Sequence, residues 1–373
     1  MDAAGIILAD TGAVNVPELI RKRTLAAIPF GARYRLIDFV LSNMTNSGIS
    51  NVGMVARENY QSLMVHTGSG AVWDLERKSG GLVFLPPFST EQNTNGLKRS
   101  RFNALMENES YLRMVHNKYV LITSCIPVMN VDYNKMLQFH EAHNARMTIM
   151  YTNYPMNAQE DIARTWMDVD REGRVSGIDV TRQGRLGGHC AVGAFLMERE
   201  DLLDILGSYE GQRNLSFRKD VVPKLIEQGG VWAYGVDEIA LYLDTLPGYL
   251  ASSLSLLRAD VRQALFHSEN GPVITKVSDS APTHYGPHAS VVNSLIADGA
   301  VIEGNVSNSI IFRGVHIGKD AIVSNSVVMQ DSTVSDGARL NYAVLDKSVY
   351  INSDRILSGY ITHPFFCKRD DRI

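Results

Sequence analysis

Through its first two-thirds the chain alternates short apolar runs with segments of helical period. "GIILA" (5–9) gives way to "RLIDFVLSNMTNSG" (35–48), then "ISNVGMVA" (49–56), then "QSLMVHTG" (61–68). Further on, "YVLIT" (119–123) precedes "VDYNKMLQFHEAHNA" (131–145), and "RMTIMYT" (146–152) follows it. Buried strands alternating with helices predict βαβ units and a mostly parallel sheet.

Near residue 270 the pattern changes. Ile311, Ile317 and Val323 are six residues apart, and so are Ile322, Val328, Val334 and Leu340, with Gly, Asp, Ser and Asn between them. A six-residue apolar period fits neither a helix nor a flat strand. It fits a parallel β-helix, in which each short strand is one side of a coil and its apolar residue points inward. An irregular β-sandwich with chance spacing is the competing reading. The expected architecture is an α/β domain over residues 1–250, a helical segment and linker over 251–279, and a left-handed parallel β-helix over 280–373. Ile317, Val328 and Val334 should face inward. Such a coil exposes flat faces that stack, so an oligomer is expected.

At 373 residues the chain is long for one core, in keeping with two domains. A net charge of -4 leaves no electrostatic footprint for nucleic acid or an anionic membrane. No apolar run approaches the ~20 residues a membrane span needs. Cys125, Cys190 and Cys367 are few, odd in number and far apart, which suits a reducing cytoplasm and no metal-ligand spacing. The N-terminus has no basic stretch ahead of a long apolar run, so no leader is expected.

The candidate chemistry begins at "GIILADTGAVNV". A strand running into a loop is where α/β proteins hold phosphate, on closely approaching backbone N–H groups. Such loops are usually rich in glycine. This one has a single glycine, Gly12, and opens on the negative charge of Asp10.

Three further stretches, "PFGARYRLIDFVLSN" (29–43), "NSGISNVGMV" (46–55) and "HTGSGAVWDLERKSGG" (66–81), resemble the bacterial glucose-1-phosphate adenylyltransferase (ADP-glucose pyrophosphorylase) family. The resemblance extends over nearly the whole chain, coil included. It implies a Rossmann-like nucleotidyltransferase domain and transfer of an adenylyl group from ATP to glucose 1-phosphate. That reaction brings two polyanions together, so it needs cations and a carboxylate-held Mg²⁺.

Matched residue by residue, those groups are missing. The family's glycine pair falls on Asp10 and Thr11, its loop arginine on Asn15 and its lysine on Leu25. Losing the charged hydrogen bonds, at about 1.5–3 kcal/mol each, weakens ATP binding by several kcal/mol. In "VLITSCIPVMNVDY" the family's metal-binding aspartate falls on Ile126, between Cys125 and Pro127. In "ALYLDTLPGYL" the second metal aspartate falls on Tyr242, with Asp244 two residues away as a candidate substitute. The lysine motif EKP is absent from "VSGIDVTRQGRLGG", the pocket serine becomes Ala191, and the aspartate of the GTADA motif becomes Asn103.

Within the family the chain therefore resembles the non-catalytic D-type subunits of glycogen biosynthesis. This implies a silent or weak regulatory subunit of a hetero- or homo-oligomer, with no cofactor of its own and Mg²⁺ only in a catalytic partner subunit. An active nucleotidyltransferase with a metal site rebuilt around Asp244, and a β-helix acyltransferase or free-standing binding protein, stay open as alternatives. Against the acyltransferase, His316 is the only histidine inside the repeat and has no evident carboxylate partner. The family's activator-binding cations align on Lys22, Arg23 and Arg35. With Lys368 and Arg369 of the C-terminal tail, and Arg339 as a further candidate, they form an expected site for a phosphorylated sugar or phosphate effector. Asp370 and Asp371 are the carboxylates expected to neutralise the cluster if it is only surface. Cys125 reads as a buried structural thiol, Trp73 as core, and His189–Cys190 as too few ligands for zinc.

Overall fold

The computed structural model describes residues 1–10, 16–85, 101–153, 162–181, 188–210, 212 and 215–373. The predicted apolar runs form strands whose residues are buried on both faces, as in Ala3–Leu8 and Tyr119–Ser124. Strands covered on both sides read as continuous apolar runs. The sheet runs in the order Val231–Gly235, Met147–Asn153, His189–Glu198, Tyr119–Ser124, Ala3–Leu8, Asn51–Val55, Gly81–Leu85. Only His189–Glu198 is antiparallel to its neighbours along this path. Its register shifts between Ala191 and Phe195, around Gly193 at φ 79°. The strands Arg164–Val169 and Val175–Thr181 branch from its start. Strand order reverses between Ala3–Leu8 and Tyr119–Ser124, so their carboxyl ends open the crevice typical of such sheets.

Two helices, Leu246–Ser255 and Ala259–Phe266, lead out of the domain. The chain then runs extended along its surface. Ser42 Oγ accepts from Ile274 N at 2.8 Å, Trp73 Nε1 donates to Ile274 O at 3.2 Å, and Thr275 Oγ1 donates to the buried Asp38. Trp73 is core, as expected, at 1% exposure.

From His284 onward the chain forms three parallel sheets of five short strands each. Ile317, Val328 and Val334 are fully buried, as the predicted inward positions require. The uniform six-residue period needs correction. His284 pairs with Val301, Val301 with His316, His316 with Thr333 and Thr333 with Tyr350, so successive coils are 17, 15, 17 and 17 residues long. The inward residues run Ile311, Ile317, Val323, Val328, Val334, Leu340, Leu345, Ile351. Ile322, expected inside, points outward and is half-buried, while its neighbour Val323 fills the core.

A residue is dropped where the second face turns into the third. There Asn293, Asn308, Asn325 and Tyr342 hold φ of 43–49°, a left-handed conformation that Asn adopts more readily than most residues. A ladder stacks at the same corner, with Ser309 N donating to Ser294 Oγ, Ser326 N to Ser309 Oγ, and Ala343 N to Ser326 Oγ.

The third face fixes how the coil sits. Its strands Ile310–Ile311, Val327–Val328 and Ala343–Leu345 are buried at both alternating positions. Ile311, Val328 and Leu345 fill the coil. Ile310, Val327 and Val344 are covered from outside, and one apolar cluster runs from the parallel sheet into the coil. The third face is thus the one docked on the α/β domain.

Candidate functional site

Two polar regions stand out: a cleft at the carboxyl edge of the sheet and a cation-rich junction between sheet domain and coil.

The cleft is lined by Ser124 at the end of the strand Tyr119–Ser124, by Ile126 and Pro127 beyond it, by the irregular stretch Ala191–Gly193, and by Arg164, Thr165, Arg218, Tyr242 and Asp244. Ile126 and Tyr242, the two positions expected to stand in place of the family's metal-binding aspartates, meet here with Ala191. None supplies a carboxylate. Asp244 is the acid in the cleft, and it is engaged: its Oδ2 accepts from Arg164 Nη1 at 2.8 Å, both residues being nearly buried. The Arg164 guanidinium also lies over the Tyr242 ring, 4.3 Å from its centroid. Mg²⁺ favours one or two free carboxylates with waters and phosphate; the one in this cleft is held by Arg164, so the set does not fit it. Among the described residues no group of three or more His, Cys, Asp or Glu is placed to hold a metal.

The degenerate loop positions have structural roles. Asp10 Oδ2 accepts from the backbone N–H of Arg57 at 2.5 Å and lies 3.4 Å from that of Glu58. Burial raises its pKa, against the pull of those N–H groups. Leu25 is 4% exposed and belongs to the core. Thr11 and Asn15 lie outside the described residues. Asn103 sits on the helix Arg101–Glu107. Cys125 is buried and its thiol pKa is pushed well up by desolvation, fitting a structural thiol.

At the junction, Arg23 and Asp346 form an ion pair at 2.6 Å, with side chains 2% and 6% exposed. Arg35 donates to Ser62 O and Oγ at 2.7 and 2.9 Å. Burial, first, and the nearby Arg23 charge bring its pKa down to about 10, against the pull of Asp38. Lys347 lies beside them. Burial, then Arg35 and Arg23, lower its pKa to about 7, with Asp346 opposing and Arg369 adding to the shift. Lys22 is exposed and pairs with Asp370 at 3.5 Å, and Arg369 approaches the same carboxylate at 3.7 Å. The Lys368 side chain is exposed; its backbone N–H donates to Asp371.

Sequence reasoning brought Lys22, Arg23, Arg35 and Arg369 together but missed Asp346 and Lys347. A signal was present. Backbone hydrogen bonds place Phe312, Met329 and Asp346 at equivalent points of successive coils, so Asp346 is a charge where the repeat otherwise has a buried apolar residue. Arg339 is a correction: it stands exposed on the second face, in register with Ile322 and Ile356, not on the docked third face.

His316 needs correction too. Its Nε2 lies 3.0 Å from Glu303 Oε2, so it does have a carboxylate partner. It is not the lone histidine of the coil either, since His284 stands in the first one. The pair is on the outer face, with His316 45% exposed.

The fold is that of a nucleotidyl transferase domain carrying a hexapeptide coil. The family described as "Nucleotidyl transferase" matches residues 5–244, and "GlmU-like, C-terminal hexapeptide" matches 279–358, in keeping with a left-handed β-helix. A glucose-1-phosphate adenylyltransferase of Clostridium botulinum (strain Alaska E43 / Type E3) is 30% identical over 87% of this chain and 84% of its own length. One of Thermosipho africanus is 31% identical over 86% and 78%. The glycogen biosynthesis protein GlgD of Geobacillus stearothermophilus is 34% identical over 86% and 82%. The chain belongs to the glucose-1-phosphate adenylyltransferase family. Among the described residues no helix is long and apolar enough to cross a membrane.

Proposed function

We propose that this chain is a catalytically silent, regulatory subunit of ADP-glucose pyrophosphorylase in glycogen biosynthesis, acting in the cytoplasm on a catalytic partner subunit. The observation that carries the reading is the cleft. Ile126 and Tyr242 stand where the family's metal carboxylates align, and the remaining acid, Asp244, is held by Arg164. That ion pair also weighs against a metal site rebuilt around Asp244. With no chemistry of its own, the chain acts by contact, in a tetramer-like assembly with the catalytic subunit. The junction cations Lys22, Arg23, Arg35, Lys347 and Arg369 suit an effector bearing phosphate, through charge-assisted hydrogen bonds. Mg²⁺ is required only by the partner. The name of the GlgD relative, a glycogen biosynthesis protein, supports the pathway.

The test is ADP-glucose formation from ATP, glucose 1-phosphate and Mg²⁺ by the purified chain, alone and mixed with the catalytic subunit. The expected result is negligible turnover alone and altered effector response in the mixture. Robust turnover by the chain alone, lost on Asp244→Asn, overturns the reading.

A further inference from the structure

The cleft has lost its metal carboxylates, yet it is not electrically bare. Two guanidiniums line it, Arg164 and Arg218, against the single carboxylate of Asp244. Arg164 and Asp244 neutralise one another at 2.8 Å. Arg218 has no such partner among the described residues. Its Nη1 donates to Thr165 Oγ1 at 2.5 Å, one of five N–H donors on a guanidinium. Asp220, two residues on, turns its carboxylate to the backbone N–H of Ser216 instead. Burial lowers the Arg218 pKa, with no counter-charge opposing it. A half-buried cation with neither full hydration nor a counter-ion is costly unless an anion completes it.

The space fits a small anion. The cleft encloses about 70 Å³, and at ~15 Å³ for each water this is room for about five waters. A phosphate group, with five heavy atoms, fills a space of that size. Gly193 and Thr165 also line it, adding a side-chain-free approach and a buried hydroxyl. A guanidinium fork matches phosphate oxygens in pairs.

We propose that this cleft is a metal-independent phosphate-binding pocket, in which Arg218, flanked by Arg164 and Thr165, holds a free phosphate or the phosphate of a small monoester. The family's reaction needs a carboxylate-held metal at this edge of the sheet; here arginine supplies the positive charge. Binding does not depend on the chain being a regulatory subunit, and its test uses no partner subunit.

The experiment is calorimetric titration of the full-length chain with inorganic phosphate and with glucose 1-phosphate, in EDTA. A Lys347→Met background weakens binding at the junction cations. Saturable binding is expected, weakened at least about ten-fold by Arg218→Gln, the size of one lost charged hydrogen bond. Arg218→Lys, which keeps the charge without the fork, should bind with intermediate strength and guards against a misfolded variant. Tighter binding of glucose 1-phosphate than of phosphate assigns a monoester; equal binding assigns the free ion. Unchanged affinity in Arg218→Gln, no saturable binding in EDTA, or binding that appears only with Mg²⁺ overturns the proposal.

Discussion

Replacing Asp346 with asparagine probes the junction most directly. The change is nearly isosteric, and the amide oxygen can still accept the Lys347 N–H that Asp346 Oδ1 accepts at 2.7 Å. It removes the charge alone. Arg23 is then left 2% exposed with no counter-ion, and its Nη1 has no hydrogen-bond partner to begin with. Breaking a buried ion pair from one side costs about 3–5 kcal/mol, because the orphaned charge stays buried. The cost falls toward the upper end here, since Arg35 adds like charge nearby. The double variant Arg23→Met, Asp346→Leu removes both charges and keeps the volume, so it should lie within about 1 kcal/mol of the parent or above it.

The assay is urea unfolding followed by circular dichroism for the parent, Asp346→Asn, the singles Arg23→Met and Asp346→Leu, and their double variant, the last three closing a thermodynamic cycle with the parent. Because one apolar cluster runs through sheet and coil, the loss should appear in the main transition. Sulfate or phosphate should restore more stability to Asp346→Asn than to the parent, since an anion replaces the missing carboxylate. A loss below about 1 kcal/mol for Asp346→Asn, or a double variant no more stable than that single one, refutes the reasoning.

Leu340→Ala, in the core of the coil, should cost about 2–5 kcal/mol, and Ile322→Ala on the outer side of the same sheet no more than half as much; comparable losses in denaturant melts contradict the assigned register. Lys347 has a folded pKa of about 7, below the ordinary lysine value, so unfolding takes up a proton between about pH 7 and 10.5. Its penalty is full below pH 7 and fades as pH rises through that window, so the gap between the parent and a more stable Lys347→Met should narrow from pH 7 to 9.5 in thermal melts. Ile126→Asp alone should leave the chain inactive, because one carboxylate restores neither the second metal ligand nor the phosphate-neutralising cations; ADP-glucose above background in a coupled assay counts against this.

Legibility in the sequence followed the range of the interactions. The strands and helices of the α/β domain were readable because burial on both faces writes itself as local apolar periodicity. Ile317, Val328 and Val334 were readable for the same reason. The 17-residue coil was not, because "AIV" at 321–323 presents adjacent apolar residues, and a fixed step of six selects Ile322 where the chain buries Val323. The meeting of Ile126 and Tyr242 was legible through motifs. The ion pairs that hold Asp244 and Arg23 were not. Arg164 reaches Asp244 across 80 positions, and Arg23 reaches Asp346 across 323. Such pairs carry no local signature beyond a charge in an apolar setting.

The cleft and the junction obey one electrostatic constraint and resolve it differently. A carboxylate that has lost its metal cannot stay buried and unpaired. In the cleft the constraint is met twice, by apolar or aromatic replacement at Ile126 and Tyr242 and by the Arg164 partner of Asp244. At the junction the cations outnumber the buried carboxylates: Arg23, Arg35 and Lys347 gather near Asp346, with Asp38 close to Arg35, and Lys347 accommodates the excess by giving up its proton more readily, at a pKa of about 7. An anion arriving there would draw a proton onto Lys347 as it binds. Calorimetry of phosphate binding in two buffers of different ionisation enthalpy should therefore report proton uptake near pH 7.5, and Lys347→Met should abolish it. Because Arg23 and Arg35 belong to the sheet domain while Asp346, Lys347 and Arg369 belong to the coil, an anion bound among them bears on the contact between the two. On the function proposed above, this is the physical means by which a silent subunit would sense a phosphorylated metabolite.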